Sequence, residues 1–178
     1  MGARAGFRAC LTCGSRTVSR KPVKHGGKPK RPPTDRQRLR KEADTLWRQL
    51  IKVPQKCAAC HKTSGVVHEA AHGFSRVFDR TRWSLLNGWD LCSGCHKWYT
   101  ERPEKWTDWM IDFWHSTEFA NFPADQGLAL ARERHQELKR LAYSSETNPV
   151  SVPEIQEIVD ELKVALDNAL VKSEIPTA

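Results

Sequence analysis

Apolar residues along this chain fall into helical stripes that flank one stretch without a helical period. Leu39, Ala43, Leu46, Trp47 and Leu50 recur at three- and four-residue steps, the spacing that lines one face of a helix. Thr34 or Asp35 can cap the start of that helix, and Pro54 ends it just after Ile51. After Pro103, Trp106, Trp109, Met110, Phe113 and Trp114 repeat the pattern, and this aromatic stripe reads as a core face rather than a base-stacking platform. A further helix is expected from near Asp125 to Ala142, with Leu128, Ala131, His135 and Leu138 on one side. Its other side carries Arg132, Glu133, Arg134, Glu137, Lys139 and Arg140. Residues 144–152 (SSETNPVSV) read as a linker, and Pro153 suits the first turn of a last helix over 153–172. Its stripe is Ile155, Ile158, Val159, Leu162, Leu166, Ala169 and Leu170. That stripe either packs back on the core or pairs with a partner, and in a homodimer it would be the interface.

The stretch between the first two stripes, residues 56–102, is rich in Cys, His and Gly. A β-like piece spans Val66–Ala71, a second strand ends at Leu91, and a short helix starts near Cys92. The fold class is therefore α+β and mostly helical, with a small β core between flanking helices. Residues 1–34 show no apolar period and contain Gly26-Gly27 and Pro32-Pro33, so they read as a disordered arm. The single ordered domain is expected over 35–143.

Charge sharpens the division. Residues 1–41 hold 13 Lys and Arg against one acid, Asp35, whereas the remaining residues hold 16 against 20. The overall charge of +8 thus belongs to the N-terminal arm. A block of positive charge suits a polyanion, because each neutralised phosphate releases condensed counterions. No apolar run is long enough for a membrane span and no signal-peptide pattern opens the chain. The expected setting is cytoplasmic, in a bacterial or phage-infected host cell, with no membrane partner.

The six cysteines form three C-x-x-C pairs: Cys10/Cys13, Cys57/Cys60 and Cys92/Cys95. Repeated C-x-x-C spacing without a secretion signal points to metal rather than disulfides. Cys57, Cys60, Cys92 and Cys95, two pairs with 31 residues between them, supply the four thiolates of a closed tetrahedral zinc site. Metal binding would contribute much of the folding free energy of so small a β core. Cys10 and Cys13 have no matching pair; free thiols, a metal shared between subunits and a half-degenerate knuckle are all open.

The residues inside and beside this staple carry chemistry. His72 closes an apolar run, Asn87 sits in a Leu-Asn-Gly turn, and His96 directly follows Cys95 at the start of a helix. Their order spells H-N-H. The segments AAHGFSR (70–76), TRW (81–83), NGWDLCSGCHKW (87–98) and ERPEKWTDW (101–109) resemble the HNH (ββα-metal) endonucleases, in particular the phage NinG-like or Rap-like DNA-junction branch. The resemblance covers about residues 36–142. It implies a zinc-stapled, treble-clef-like ββα core that cuts DNA with a divalent ion. It makes His72 the general base, Asn87 the orienting asparagine, and His96 a ligand of a catalytic Mg²⁺, Mn²⁺ or Zn²⁺.

One position departs from the family. Many members carry Asp or His immediately before the base histidine as a further ion ligand, and here that residue is Ala71. Candidates for the replacement are His68, Glu69 and Glu101. On an ideal strand His68 shares a face with His72 and Glu69 faces the other way. Arg76 and Arg82 flank the site; they either clamp the DNA phosphate in a bidentate way or form surface ion pairs. Trp83, Trp89 and Trp98 are expected to build the core. The functional expectation is phosphodiester hydrolysis of branched or recombination-intermediate DNA, with the basic arm and the charged side of 125–142 extending the contact. The alternative is a non-catalytic zinc module that only binds nucleic acid.

Overall fold

A computed structural model of the chain describes residues 31–144 and 149–174. The arm expected over 1–34, with Cys10 and Cys13, falls almost wholly outside the described residues, as do 145–148 of the expected linker. The chain divides into two units at Pro32/Pro33, and the second carries all the structure below.

The body is mostly helical with one small sheet. Helix α1 (Asp35–Ile51) opens with a capping box: the Gln37 N–H donates to the Thr34 hydroxyl and the Thr34 N–H donates back to the Gln37 side chain. That arrangement satisfies two of the free N–H groups at a helix start. Strand β1 (His68–His72) pairs antiparallel with β2 (Gly88–Cys92), and a 3₁₀ turn at Leu85–Asn87 leads into β2. Helix α2 (Ser93–Thr100) follows at once, then α3 (Pro103–Thr117) with Pro103 in its first turn, α4 (Ala124–Ser144) and α5 (Val152–Glu174). The first strand lies two residues later than the apolar run suggested. Val67 is exposed and contributes only its carbonyl, which accepts from the Ser93 N–H.

The sheet is packed on both sides. Ala71, Trp89 and Leu91 join Trp106, Met110 and Trp114 of α3 and Ala131 and Leu138 of α4 in one core. Trp89 is its hub, edge-on or tilted to Trp106, Trp109, Phe113 and Trp114 at 5.6–6.4 Å, geometries that aromatic quadrupoles favour. The other face meets α1. Ala70 packs against a second core of Ala43, Trp47, Trp83, Val150, Ile155, Val159 and Leu162. At Gly88 the approach is so close that a Cβ would lie 2.5 Å from both Trp47 and Ile51.

The last helix uses its stripe within the chain. Ile155, Val159 and Leu162 are buried against α1, and Lys163 pairs with Glu42 at 2.9 Å. The first half of the stripe is thus covered by this chain's own α1, whereas Leu170 at its far end is exposed. Trp83 and Trp89 are buried as expected, but Trp98 is exposed, with the Arg102 guanidinium over its ring at 4.9 Å. His135 lies on the inner side of α4, 5.5 Å from the Phe74 ring.

Candidate metal centre and active site

Local backbone geometry explains how the four cysteines meet. Cys57 sits in a tight knuckle after α1: its carbonyl accepts from His61 N–H and its N–H donates to the Lys62 carbonyl. His61 takes a positive φ of 61° to complete the turn. The Ala58 N–H donates to the Asp90 carbonyl and ties the knuckle to β2. Cys92 ends β2 and Cys95 lies in the first turn of α2, so strand and helix together deliver the second pair. All four Sγ atoms lie within 4.8 Å of one another. The Cys60–Cys92 separation is 3.7 Å, against about 3.8 Å for the edge of a tetrahedron with Zn–S near 2.3 Å. The four cysteines therefore form a set that can hold a metal ion such as zinc. Among the described residues it is the only cluster of three or more His, Cys, Asp or Glu ligand groups.

The thiols respond to that crowding. Burial raises the Cys57 thiol, but the N–H groups of Cys60, Cys92 and Ala59 more than offset it and bring its pKa to about 6. Burial, followed by the neighbouring Cys92, Cys60 and Cys57, pushes the Cys95 thiol up. Four thiols this close can all ionise together only if a cation offsets their charge.

Glu69 and His96 meet on the α2 side of the sheet. Strand alternation turns Glu69 away from α1, and the His96 Nδ1–H donates to Glu69 Oε2 at 2.5 Å. Both side chains are partly exposed, at 42% and 35%. Two cis ligands of an octahedral ion at about 2.1 Å stand about 3.0 Å apart. The pair would need to open by only about half an ångström to admit one.

The other candidate ligands go elsewhere. His68 donates from Nδ1 to both Asp90 carboxylate oxygens, at 2.9 and 3.0 Å, and its Nε2 is buried without a partner. Glu101 lies by Lys97 and Arg102, at 4.0 and 3.6 Å. Of the three replacements considered for the Ala71 position, Glu69 is the one brought to His96.

His72 sits on the opposite side of β1, against α1. Its ring stacks on Trp47 with centroids 3.9 Å apart and planes 16° off parallel. Its Nε2–H donates to the Arg82 carbonyl at 2.9 Å, which leaves the lone pair on Nδ1. Burial lowers the His72 pKa from 6.5, and the charges of Arg82 and Arg76 lower it further against the opposing Arg82 carbonyl and Asp44. The imidazole is therefore neutral at pH 7.

Asn87 is wholly buried and braces the loop between the strands. Its Oδ1 accepts from the Phe74 N–H at 2.6 Å, and its Nδ2 donates to the carbonyls of Phe74 and Thr81 at 3.0 and 2.9 Å. It orients the loop that carries Arg82 and hence acts on His72 at one remove.

Arg82 does not reach toward a substrate. It donates from Nε and Nη2 to the two oxygens of Asp44, at 2.8 and 2.6 Å, and from Nη1 to the Arg76 carbonyl at 2.8 Å. The bidentate geometry expected for a phosphate is used on a carboxylate of α1. The Arg76 side chain is exposed and forms no ion pair among the described residues.

Sequence reasoning passed over two contributors, Asp44 and Asp90, and placed Trp47 in the stripe of α1 without its stack on His72. Asp44 is one turn from Trp47 on the inner side of α1, and Asp90 is 4% exposed in an otherwise apolar strand. A carboxylate inside an apolar pattern is the signal that marks both, because a buried acid needs a partner.

No protein-family model matches the chain, and neither the curated proteins nor the solved structures give a match to it.

Proposed function

We propose that this protein is a metal-dependent DNA endonuclease that hydrolyses phosphodiester bonds, with branched or recombination-intermediate DNA as its substrate. The observation that carries this reading is the Glu69–His96 pair at 2.5 Å, one residue beyond the cysteine knuckle that fixes the start of α2. A zinc ion on Cys57, Cys60, Cys92 and Cys95 would hold that knuckle. A divalent cation held by Glu69 and His96, Mg²⁺ or Mn²⁺ or Zn²⁺, would neutralise charge building on the phosphate.

The chain's own residues supply the rest. His72 Nδ1 takes a proton from water, and the resulting hydroxide forms a bond to phosphorus while the bond to the 3′-oxygen breaks. That oxygen leaves as a 3′-hydroxyl after taking a proton from solvent, and the product keeps a 5′-phosphate. Glu69 and His72 are three residues apart on β1, about 10 Å along the strand, and face opposite sides of it, so a shared phosphate would have to bridge the end of the strand at His72. Arg76 is the exposed cation available to that phosphate, and the basic arm would hold the nucleic acid without sequence preference.

A second reading has its own observation. His72 stacks on Trp47, on the side of β1 away from His96, as a purely structural histidine would. On that reading the chain is a zinc-binding nucleic-acid module without activity. Labelled four-way junctions, D-loops and plain duplexes, incubated with the full chain and Mg²⁺ or Mn²⁺, separate the two. The nuclease reading expects cleavage with a 5′-phosphate, stopped by chelation and reduced about 10²–10⁴-fold in His72→Ala. Binding without cleavage of any of the three would support the module.

A further inference from the structure

We infer that α1 is a positioning clamp for His72, with Asp44 and Trp47 as its points of contact; this rests on the proposed role of His72 as general base. Asp44 and Trp47 are three residues apart and so share one helix face. Asp44 accepts two N–H groups from Arg82 and a third from the Trp83 indole at 2.8 Å. Trp47 lies flat on the imidazole and donates its own indole N–H to the Ser84 carbonyl at 3.1 Å. Residues 82, 83 and 84 are thereby each tied to α1. The one carbonyl in that run that receives His72 belongs to Arg82.

The consequence concerns which imidazole nitrogen carries the proton. A histidine ring can turn over about its outer torsion, which exchanges Nδ1 with Cδ2 and Nε2 with Cε1 and would take Nε2 off the Arg82 carbonyl. The Trp47 stack opposes tilting, and a fixed carbonyl can pair only with a protonated nitrogen, so the clamp selects the Nε2–H tautomer and leaves the base at Nδ1. Three charges act on the ring with different signs: Arg82 and Arg76 lower its proton affinity and Asp44 raises it. Asp44 thus fixes the carbonyl and tempers the arginines together. Neither the cysteine cluster nor the Glu69–His96 pair uses any of these contacts, which converge on the run that carries the Arg82 carbonyl.

The test uses the full zinc-loaded chain with ¹⁵N-labelled histidine, His72 being assigned by its loss in His72→Gln. Long-range ¹H–¹⁵N spectra should show the Nε2–H tautomer in the native protein, with a titration midpoint below 6.5. Asp44→Asn should lose the tautomer preference and lower the midpoint further. Its kcat for DNA cleavage should fall roughly ten- to a hundredfold while KM changes by less than about twofold, and Asp44→Glu should recover most of the loss. Should Asp44→Asn not fold, Arg82→Lys, which keeps the carbonyl and the charge but breaks the paired contacts, should show the same release of the tautomer. An Nδ1–H tautomer in the native protein, or a folded Asp44→Asn or Arg82→Lys chain with an unchanged tautomer and midpoint, would overturn the clamp. A native chain that cuts no DNA while Asp44→Asn still frees the tautomer refutes the nuclease reading and supports the clamp.

Discussion

His72 is neutral because of where it lies, and that has a measurable sign. Burial first, then the charges of Arg82 and Arg76, hold its folded pKa below 6.5. The unfolded chain therefore binds the proton more tightly. Stability contributed by this residue is present above pH 6.5 and is lost as pH falls through the lower folded value. On the proposed nuclease reading the same shift would set the acid limb of activity, since only the neutral ring accepts a proton. Cleavage rate against pH should be half-maximal on its acid side below 6.5, and a limb centred above 6.5 would remove His72 as the base. Sequence reasoning reached His72, Asn87 and His96 but not their surroundings. It left His68, Glu69 and Glu101 open because alternation says which face a strand residue takes, not what waits there. Asp90 waits for His68 and His96 for Glu69, and both are long-range facts. Arg82 was legible as a fork-shaped cation but not as one already occupied by Asp44.

Each helix but the short α2 was legible from its own stripe, because burying one face imposes a 3.6-residue period whatever the partner. The partners were not legible. The stripe of α5 fitted either this chain or a second copy, and the structure seats its Ile155, Val159 and Leu162 in the core shared with α1. That contact supports the clamp from behind: Ile155 and Val159 are fully buried in the same core as Trp47. Ile155→Ala should cost about 2–5 kcal/mol of unfolding free energy, read by urea denaturation, and should broaden the His72 resonance while zinc content stays at the native value. A loss below about 1 kcal/mol would mean that α5 is not seated on α1 in solution. The strands were the least legible elements. Val66 and Val67 extended the apolar run, yet pairing starts at His68, opposite Cys92, where the knuckle ends β2.

At the scale of the whole molecule, the chain joins a positive arm to a body of mild negative charge. The net charge of +8 conceals that asymmetry, with 13 basic residues against one acid over residues 1–41. The arm can supply affinity for a polyanion, and on the proposed reading the chemistry would come from the body. Among the described residues, no helix is long and apolar enough to cross a membrane. In the body, one small sheet separates two groups: Glu69 and His96 on the α2 side, His72 and its clamp on the α1 side. The central claim is that these groups act together on one phosphate, with Glu69 and His96 as the ion's ligands. The most direct measurement is the nicking of supercoiled plasmid in Mg²⁺ or Mn²⁺ by the zinc-loaded chain and by its Glu69→Ala variant. The account predicts nicking by the native chain that chelation stops. It also predicts a loss of about a hundredfold or more in Glu69→Ala, with zinc content and fold unchanged. Plasmid that is bound but never nicked in any divalent ion, or a Glu69→Ala chain that nicks at the native rate, would contradict it.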